Sequence, residues 1–431
     1  MVEEYLKNVE KNEELATKLA AEREQEIDDC IMEEDEEHPE YEHLNPIEVD
    51  DERIKVIKEK VFKPIDVGDL QELKSRTKSL DRYQKYVLEV AIRYARGIIK
   101  AQKSKNRRPS PPFLMVHGGA GSGKSTVISL VAKWAHYILQ SPGDDPDCPY
   151  VCISAYTGAA ACNVGGQTLH SLFSFNFGSG FMSLSDKSRE LKRTLFKNLS
   201  ILIIDEISLV DADLLYKIDL RLKEVKQNDQ PFGGIALLCF GDLLQIKPVK
   251  GRYIFDDPKC MEFQLASCIE SHWKKMQIVN LEVNHRQGDD KIYAEILNRI
   301  RVGSHTEDDM KKLREQVRPK NHKDLRDKNA LYLFGKNKPV DEINTKRILE
   351  LKGEEFHLAA QCFHDSIKDF KPPISKTGAI NNTPFQAKLV LKIGVKVMLT
   401  YNINPADGLV DGSRGEILGI IRNVSCVSYQ V

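Results

Sequence analysis

A strand, a glycine-rich loop and the start of a helix follow one another from residue 113, and no other feature constrains the fold of this chain as strongly. The apolar run FLMVHG (113–118) predicts a buried strand, and GGAGSGKST (118–126) matches the pattern G-x-x-x-x-G-K-[ST]. Glycines let backbone N–H groups surround a phosphate, and the N-terminus of the following helix adds positive potential. The strand–loop–helix context disfavours the alternative of a chance glycine-rich turn.

This phosphate-binding loop, or P-loop, predicts a nucleotide site that uses ATP and Mg²⁺. Lys124 is expected to reach the β- and γ-phosphates, and the Ser125 hydroxyl is expected to bind Mg²⁺. The predicted nucleotide-binding residues of the loop are Gly118, Gly119, Ala120, Gly121, Ser122, Gly123, Lys124, Ser125 and Thr126.

Two carboxylates and one amide extend the predicted site. ILIIDEIS (201–208) reads as an apolar strand that ends in Asp205, a candidate Mg²⁺ ligand through water, and Glu206, a candidate for polarising the attacking water. By itself such a pair is often a strand end next to a capped helix, and the P-loop favours the catalytic interpretation. Gln245 follows another apolar strand, where its amide can contact the γ-phosphate.

The wider pattern predicts an α/β fold. Helical spacing at 80–101 precedes the P-loop strand, and further apolar runs at 150–155, 201–206 and 235–242 alternate with helical stretches. This alternation predicts a parallel sheet with helices on both faces. A second α/β region is expected to begin near Gln277.

Charge is distributed unevenly along the chain. The net charge is −1 overall, but residues 1–52 hold 21 acidic and 4 basic residues, which leaves a net charge of +16 for 53–431. A basic body suits a polyanionic partner, because basic side chains that neutralise phosphates release condensed counterions. Charge alone is equally compatible with a solvated surface that binds no partner.

The cysteines and the hydropathy of the chain indicate the cellular compartment in which the protein is expected. The nine cysteines form no C-x-x-C pair, which favours a reducing intracellular environment. The longest apolar runs are too short to span a bilayer, so no membrane association is expected. KSKNRR (103–108) is interpreted as a surface linker, with a nuclear localisation signal as the alternative.

GTPases, kinases, transporters and helicases all contain a P-loop, so this motif alone does not identify the class of protein. A GTPase needs N-K-x-D to recognise guanine, and NKPVD (337–341) is one residue too long. Four segments in order, GGAGSGKST, IIDEISLV, PFGG (231–234) and GDLLQIKPV (241–249), resemble the Pif (petite integration frequency) family of superfamily-one DNA helicases. Two further segments also resemble that family, NHRQGDDKIYAEILNRIRVG (284–303) and GLVDGSRGEILGI (408–420). The sequence of all these segments is most similar to the Helitron-transposon versions of the family.

The resemblance implies two further roles in nucleotide binding. Gln84 corresponds to the family's adenine-contacting glutamine, with a surface helix glutamine as the alternative. Arg286 corresponds to an arginine finger that stabilises charge on the transferring phosphoryl group, with a structural ion pair as the alternative.

The resemblance also implies contacts to single-stranded DNA. AYTGAAA (155–161) and GQTLHSLF (166–173) are similar to strand-contacting loops of the family, which makes Thr157, Gly158, Thr168 and His170 candidate DNA-binding residues. Loop packing is the alternative for each of them. Phe173 or a nearby aromatic residue is expected to stack on a base.

The family architecture implies tandem RecA-like P-loop NTPase domains, the second one incomplete and carrying a small β-rich insertion. Two later cleft motifs of the family are not found, so we expect a C-terminally truncated chain with slow hydrolysis and impaired unwinding. The expected segments are an acidic N-terminal arm (1–65), a first RecA-like ATPase domain (66–276), part of a second RecA-like domain (277–383) and the start of the inserted domain (384–431).

Three functional hypotheses follow. The first is a monomeric, ATP-dependent 5′-to-3′ helicase that acts on single-stranded DNA or DNA forks in repair, recombination or transposon replication. The second is an ATP-gated single-stranded DNA-binding module without unwinding activity. The third is a regulatory or interaction protein in which the acidic residues 1–52 mimic nucleic acid and occupy the basic groove.

Overall fold

A computed structural model describes most of the chain after residue 64. The described residues are 65–141, 143–145, 148–175, 181–248, 251–258, 272–286, 290–319, 331–360, 374, 378, 380, 386–400, 403, 409, 412–422 and 427–430. Nearly all of the predicted acidic arm (1–65) lies outside them, so that prediction stays untested.

Six parallel strands form the central sheet, in the order β3-β2-β4-β5-β1-β6. The strands are β1 (Phe113–Gly118), β2 (Val151–Ala155), β3 (Gln167–Thr168), β4 (Ile201–Asp205), β5 (Ala236–Gly241) and β6 (Gln277–Leu281). The predicted parallel sheet is therefore confirmed. Parallel strands end at the same edge of a sheet, which brings the residues after β1, β4 and β5 together.

Helices cover both faces of this sheet. They are α1 (Leu70–Lys78), α2 (Arg82–Ser104), α3 (Lys124–Leu139), α4 (Gly158–Asn163), α5 (Leu169–Phe173), α6 (Asp186–Leu195) and α7 (Ala212–Lys226). Because successive strand residues face opposite sides, Ile201 and Ile203 pack in one core with α1, α2 and α3, and Leu202 and Ile204 pack in another with α5, α6 and α7. None of the described helices combines the length and apolar character needed to cross a membrane.

Helix α2 carries a predicted site residue because of how the helix begins. Asp81 caps its N-terminus by accepting from the N–H groups of Tyr83 and Gln84, and the Gln84 side chain accepts in return from the Asp81 N–H. An apolar stripe then recurs every three or four residues, including Val87, Ala91 and Ile98, and buries the helix against the core. The cap places Gln84 at the helix end nearest the P-loop.

The PFGG segment forms a tight 3₁₀ turn at Pro231–Gly234 directly before β5. Phe232 adopts the left-handed conformation (φ 52°), and its N–H donates to the fully buried Asp219 Oδ1 at 2.6 Å. A charge-assisted hydrogen bond of this kind is stronger than a neutral one. It fixes where β5 starts and therefore the position of the loop that follows the strand.

The position of strand β6 differs from the domain boundary predicted between residues 276 and 277. Gln277–Leu281 pairs in parallel with β1, so this strand belongs to the P-loop sheet rather than to a second domain beginning at 277. The predicted boundary lies one strand too early. Periodicity reveals that a strand exists but not which sheet it joins, because pairing with β1 is a contact between residues far apart in sequence.

Residues 290–317 form a small separate unit of two helices, α8 (Lys291–Arg301) and α9 (Glu307–Arg314). The Arg299 guanidinium donates to both carboxylate oxygens of Asp309, each at 2.7 Å, and this ion pair holds the pKa of the Asp309 carboxyl well below its usual range. Thr306 and Asp309 form a capping box at the start of α9. The bidentate pair joins the two helices.

The remaining described strands pair antiparallel, two by two. They are β7 (Phe356–Ala359) with β8 (Lys388–Leu391), β9 (Lys396–Met398) with β10 (Arg414–Glu416), and β11 (Gly419–Arg422) with β12 (Val427–Gln430). Strands β8 to β12 agree with the short strands predicted after residue 384, whereas β7 lies before that residue and pairs with β8. A second parallel sheet is not among the described residues. NKPVD opens helix α10 (Asn337–Glu350), which is not the loop context of a guanine-binding motif.

Candidate functional site

The P-loop lies between β1 and α3, as predicted. Gly121 and Gly123 adopt left-handed conformations with φ values of 83° and 78°, which strain any residue with a Cβ atom. The Lys124 Nζ donates to the carbonyl oxygens of Gly118 at 2.8 Å and Gly119 at 3.1 Å. The ammonium group is therefore held against the inner side of the loop, where a phosphate oxygen can take over these contacts.

The two predicted carboxylates follow β4 at the same edge of the sheet. Asp205 is 7% exposed, and burial raises the pKa of its carboxyl to about 6. Glu206 adopts the left-handed conformation (φ 51°, ψ 46°) and begins a short 3₁₀ turn. A non-glycine residue in this region is uncommon and often marks a functional position.

One cleft of about 460 Å³ joins five residues that the sequence predicts for catalysis and metal binding. Ser125, Asp205, Glu206, Gln245 and Arg286 all line it. Gln245 is held by a turn after β5, where its N–H donates to the Asp242 carbonyl oxygen at 3.0 Å. Residues separated by up to 161 positions in the chain thus face one volume beside the P-loop.

Arg286 lies directly against the P-loop. A Cβ atom at residue 121 would lie 2.5 Å from Arg286 Cβ and 2.7 Å from Asn284 Oδ1, so only glycine fits there. The neighbouring His285 N–H donates to the Gly121 carbonyl oxygen at 2.8 Å. Arg286 therefore packs against the loop, and its side chain lines the cleft.

Gln84 is buried at 3% exposure, so its interpretation as a surface helix glutamine is wrong. Its Nε2 donates to the carbonyl oxygen of Ser122 in the P-loop at 3.0 Å and lies 3.3 Å from His285 Nε2. Gln84 is not among the residues lining the cleft. It contacts the loop from the side of helix α2.

The candidate DNA-binding residues have local structural roles as well. Thr157 and Thr168 cap helices α4 and α5, because their hydroxyl oxygens accept from Ala160 N–H and Ser171 N–H. Gly158 is buried at the start of α4, and the half-buried His170 ring packs edge-on against Tyr156 at 5.8 Å. Thr157 lines the same cleft as Ser125, so the first of these loops and the P-loop share one volume.

The expectation for Phe173 is wrong. Its side chain is 0% exposed and packs against Phe175 and Phe196, with ring centroids 5.6 and 6.0 Å away. A residue buried in the core cannot stack on a base. The signal was present in LHSLF, since Leu169, Leu172 and Phe173 occupy one face of a helix.

Three residues without a predicted role, Asn163, Asn284 and His285, also belong to this region. Asn163 lines the cleft together with Thr157 and Ala160, three residues apart along α4. A spacing of three places residues on one helix face, and this spacing could have revealed Asn163. Asn284 and His285, which contact the P-loop, directly precede Arg286 in the sequence.

Family models match two parts of the chain. Residues 95–311 match the model described as PIF1-like helicase, which is half of the chain. Residues 379–420 match the model described as DNA helicase Pif1, 2B domain.

Curated proteins and solved structures agree with these matches. The chain is 30% identical over 306 residues to the ATP-dependent DNA helicase PIF1 of Saccharomyces cerevisiae, which covers 70% of the chain and 33% of that protein. It is 33% identical over 310 residues to the ATP-dependent DNA helicase PIF1 of Homo sapiens, which covers 70% of the chain and 43% of that protein. The chain thus spans less than half the length of these relatives.

Two crystal structures resemble the fold. The Pif1 helicase from Candida albicans has a TM-score of 0.55 and 26% identity, and the match covers 80% of this chain and 70% of that one. The Pif1 helicase from Bacteroides in complex with ADP-AlF3 and ssDNA has a TM-score of 0.52 and 26% identity, covering 77% and 71%.

Proposed function

The chain belongs to the PIF1-like helicase family, and on that premise we propose that it is an ATP-dependent DNA helicase that moves 5′ to 3′ along single-stranded DNA. The observation that carries this proposal is the cleft in which Ser125, Asp205, Glu206, Gln245 and Arg286 meet beside the P-loop. A P-loop accompanied by two acids, a glutamine and an arginine has the groups that phosphoryl transfer to water requires.

ATP is bound chiefly through its phosphates. Backbone N–H groups of residues 118–126 and the N-terminus of α3 surround them, and Lys124 exchanges the Gly118 and Gly119 carbonyl oxygens for phosphate oxygens. Gln84 contacts the base next to the loop carbonyl that it already reaches.

The chain's ligands fit Mg²⁺. The Ser125 hydroxyl and the Asp205 carboxylate both line the cleft and are hard oxygen donors, and magnesium in such sites is held by one or two carboxylates together with substrate phosphates. The described residues contain no cluster of three or more His, Cys, Asp or Glu that could hold a metal without the nucleotide. When bound, the ion neutralises charge on the β- and γ-phosphates.

Hydrolysis then depends on three side chains. Glu206 accepts a proton from the attacking water, Gln245 contacts the γ-phosphate, and Arg286 stabilises the charge that spreads over the transferring group. An arginine in this role can contribute about 10³–10⁵-fold to the rate.

DNA binding involves Thr157, Gly158, Thr168 and His170 together with the basic body. The similar structures include a Pif1 helicase from Bacteroides in complex with ADP-AlF3 and ssDNA, and a structure that concerns DNA unwinding at forked dsDNA by two coordinating Pif1 helicases. A monomeric state and a nuclear location stay predictions from the sequence.

A second candidate function is an ATP-gated single-stranded DNA-binding module. It is favoured by Thr157, which is both a candidate DNA contact and a lining residue of the nucleotide cleft. A nucleotide in the cleft therefore changes the surroundings of a DNA loop, whether or not strands separate.

The test is ATP hydrolysis by the purified chain with and without single-stranded DNA, together with strand displacement on a duplex with a 5′ overhang. We expect DNA to stimulate hydrolysis, and Lys124→Ala to abolish it. Nucleotide binding without DNA stimulation contradicts the helicase proposal. DNA-stimulated hydrolysis without strand displacement supports the second candidate.

A further inference from the structure

Residues 284–286 lie against the P-loop. His285 N–H donates to the Gly121 carbonyl oxygen at 2.8 Å, and Arg286 N–H donates to Asn284 Oδ1 at 2.9 Å. The Arg286 side chain lines the nucleotide cleft, whereas the His285 ring lies on the side of helix α2. The side chains of these consecutive residues thus extend towards different neighbours, the cleft for Arg286 and the start of α2 for His285.

The His285 ring connects this segment to the beginning of α2. Its Nε2 lies 3.3 Å from Asp81 Oδ2 and 3.3 Å from Gln84 Nε2. A neutral ring nitrogen either donates or accepts, so the two contacts belong to two tautomers. The tautomer protonated on Nε2 donates to Asp81, and the other tautomer accepts from the Gln84 amide. In either tautomer the ring is anchored to the same helix end.

The two residues that the His285 ring contacts are themselves held by several hydrogen bonds. Asp81 and Gln84 form the reciprocal cap of α2, and Gln84 also donates to the Ser122 carbonyl oxygen of the P-loop. The backbone bond to Gly121 fixes one point of the 284–286 segment and leaves rotation about that point free. The ring supplies a second point, which determines the direction in which the next residue, Arg286, extends.

We propose that His285 is a positioning residue: by binding Asp81 and Gln84, it holds Arg286 in the cleft where the transferring phosphoryl group is stabilised. The inference rests on the proposed function, because it assigns to Arg286 its role in phosphoryl transfer. It adds a residue that touches neither the phosphates nor the metal ligands.

The experiment compares affinity for ADP plus aluminium fluoride, a mimic of the transferring phosphoryl group, with affinity for ADP alone, in the full chain with Mg²⁺. The ratio of the two affinities reports transition-state contacts and needs no turnover. The variants are Arg286→Ala, His285→Ala, His285→Gln, which keeps a donor for Asp81, and the double alanine variant. Asp81→Ser keeps a capping hydroxyl but removes the oxygen that faces His285.

We expect Arg286→Ala to lower the ratio by about tenfold or more, and His285→Ala and Asp81→Ser to lower it severalfold while affinity for ADP alone changes little. His285→Gln should retain more of the ratio than His285→Ala. The double variant should be no worse than Arg286→Ala alone, because residues that act through one another are not additive.

The outcomes separate the two proposals. If Arg286→Ala lowers the ratio but His285→Ala and Asp81→Ser do not, the positioning role is overturned and the proposed function stands. If Arg286→Ala leaves the ratio unchanged, the assigned role of Arg286 fails, and the positioning role fails with it. If His285→Ala does not fold, Asp81→Ser decides the question by the same ratio.

Discussion

Glu206 and Asp205 are adjacent in sequence but have different surroundings. Asp205 is the last residue of β4 and is buried, whereas Glu206 lies beyond the strand end, half-buried at the cleft. A buried carboxylate suits a metal ligand, because a neighbouring cation keeps it ionised. A partly exposed carboxylate suits contact with water. The two acids can therefore be tested separately.

Glu206→Gln removes the negative charge with little change in size. We expect Mg²⁺–ATP affinity to stay within about threefold, whereas hydrolysis falls by roughly 10²–10⁴-fold, since the amide cannot accept a proton from water. Equilibrium binding of a fluorescent ATP analogue and steady-state phosphate release measure the two effects. Hydrolysis at the wild-type rate would show that another group activates the water.

Individual residues also show what the sequence could and could not predict. Lys124, Ser125, Asp205, Glu206 and Gln245 could be predicted to lie near one another because each ends or follows an apolar strand, whereas the prediction for Arg286 came from the family resemblance. The burial of Gln84 depends on contacts with residues distant in sequence, such as Ser122, which no local pattern contains. Similarly, the contact of His285 with Asp81 joins residues 204 positions apart.

At the scale of the elements, the turn before β5 contains two glycines in the left-handed region, Gly233 and Gly234. Gly233 has φ 63°, and a Cβ atom there would lie 2.7 Å from the Leu222 carbonyl oxygen in helix α7. Gly165 has a similar φ of 70°, but a Cβ atom added there would meet no other atom within 4 Å. The pair therefore separates backbone strain from steric overlap.

We expect Gly165→Ala to reduce the free energy of unfolding by about 1–2 kcal/mol through backbone strain alone. Gly233→Ala should lose a further 1–3 kcal/mol, because the overlap with α7 forces the turn to shift. Urea denaturation monitored by circular dichroism gives both values. Equal losses would mean that the turn moves away from α7 without resistance.

A buried lysine on helix α6, Lys192, forms a hydrogen bond with helix α5. Lys192 Nζ donates to the Leu172 carbonyl oxygen at 2.7 Å, and burial lowers the pKa of the Lys192 ammonium to about 8. The folded chain therefore binds this proton less tightly than the unfolded chain does. The resulting destabilisation is fully present below pH 8 and disappears as the pH rises towards 10.5.

Lys192→Met removes this titration while preserving an unbranched side chain. Relative to wild type, the variant should become less stable by about 2 kcal/mol when the pH is raised from about 7 to 9.5, because only wild type recovers the stability lost to burial. Urea denaturation at the two pH values measures the difference. A stability difference independent of pH would contradict the lowered pKa.

Most of the secondary structure could be predicted from the sequence, and the failures concern pairing. Strands β1, β2, β4 and β5 are continuous apolar runs, which is typical of strands buried on both faces. Strand β6 has the pattern exposed, exposed, buried, intermediate, buried, and it lies at the edge of the sheet beside β1. Only the fold could show that it completes the first sheet.

At the scale of the whole molecule, charge separates the chain into an acidic segment and a basic body. Residues 1–52 carry 21 acidic and 4 basic residues, and the rest has a net charge of +16. If the acidic segment competes with DNA for the basic body, deleting residues 1–52 should tighten binding of single-stranded DNA at low salt.

Fluorescence anisotropy across a salt series tests this prediction. The deletion should raise affinity at low salt and converge with the full chain at high salt, where electrostatic attraction is screened. The slope of log affinity against log salt should be about −0.7 per neutralised phosphate. Unchanged affinity at low salt would reject competition by the acidic segment.

The left-handed backbone of Glu206 has a consequence for laboratory evolution of this protein. Glycine tolerates φ 51°, ψ 46° without the penalty of roughly 1–2 kcal/mol that a side chain incurs there. Selection for thermal stability alone should therefore enrich glycine at position 206. The resulting variants should be more stable but should no longer hydrolyse ATP. Only a screen that also demands turnover would keep the glutamate.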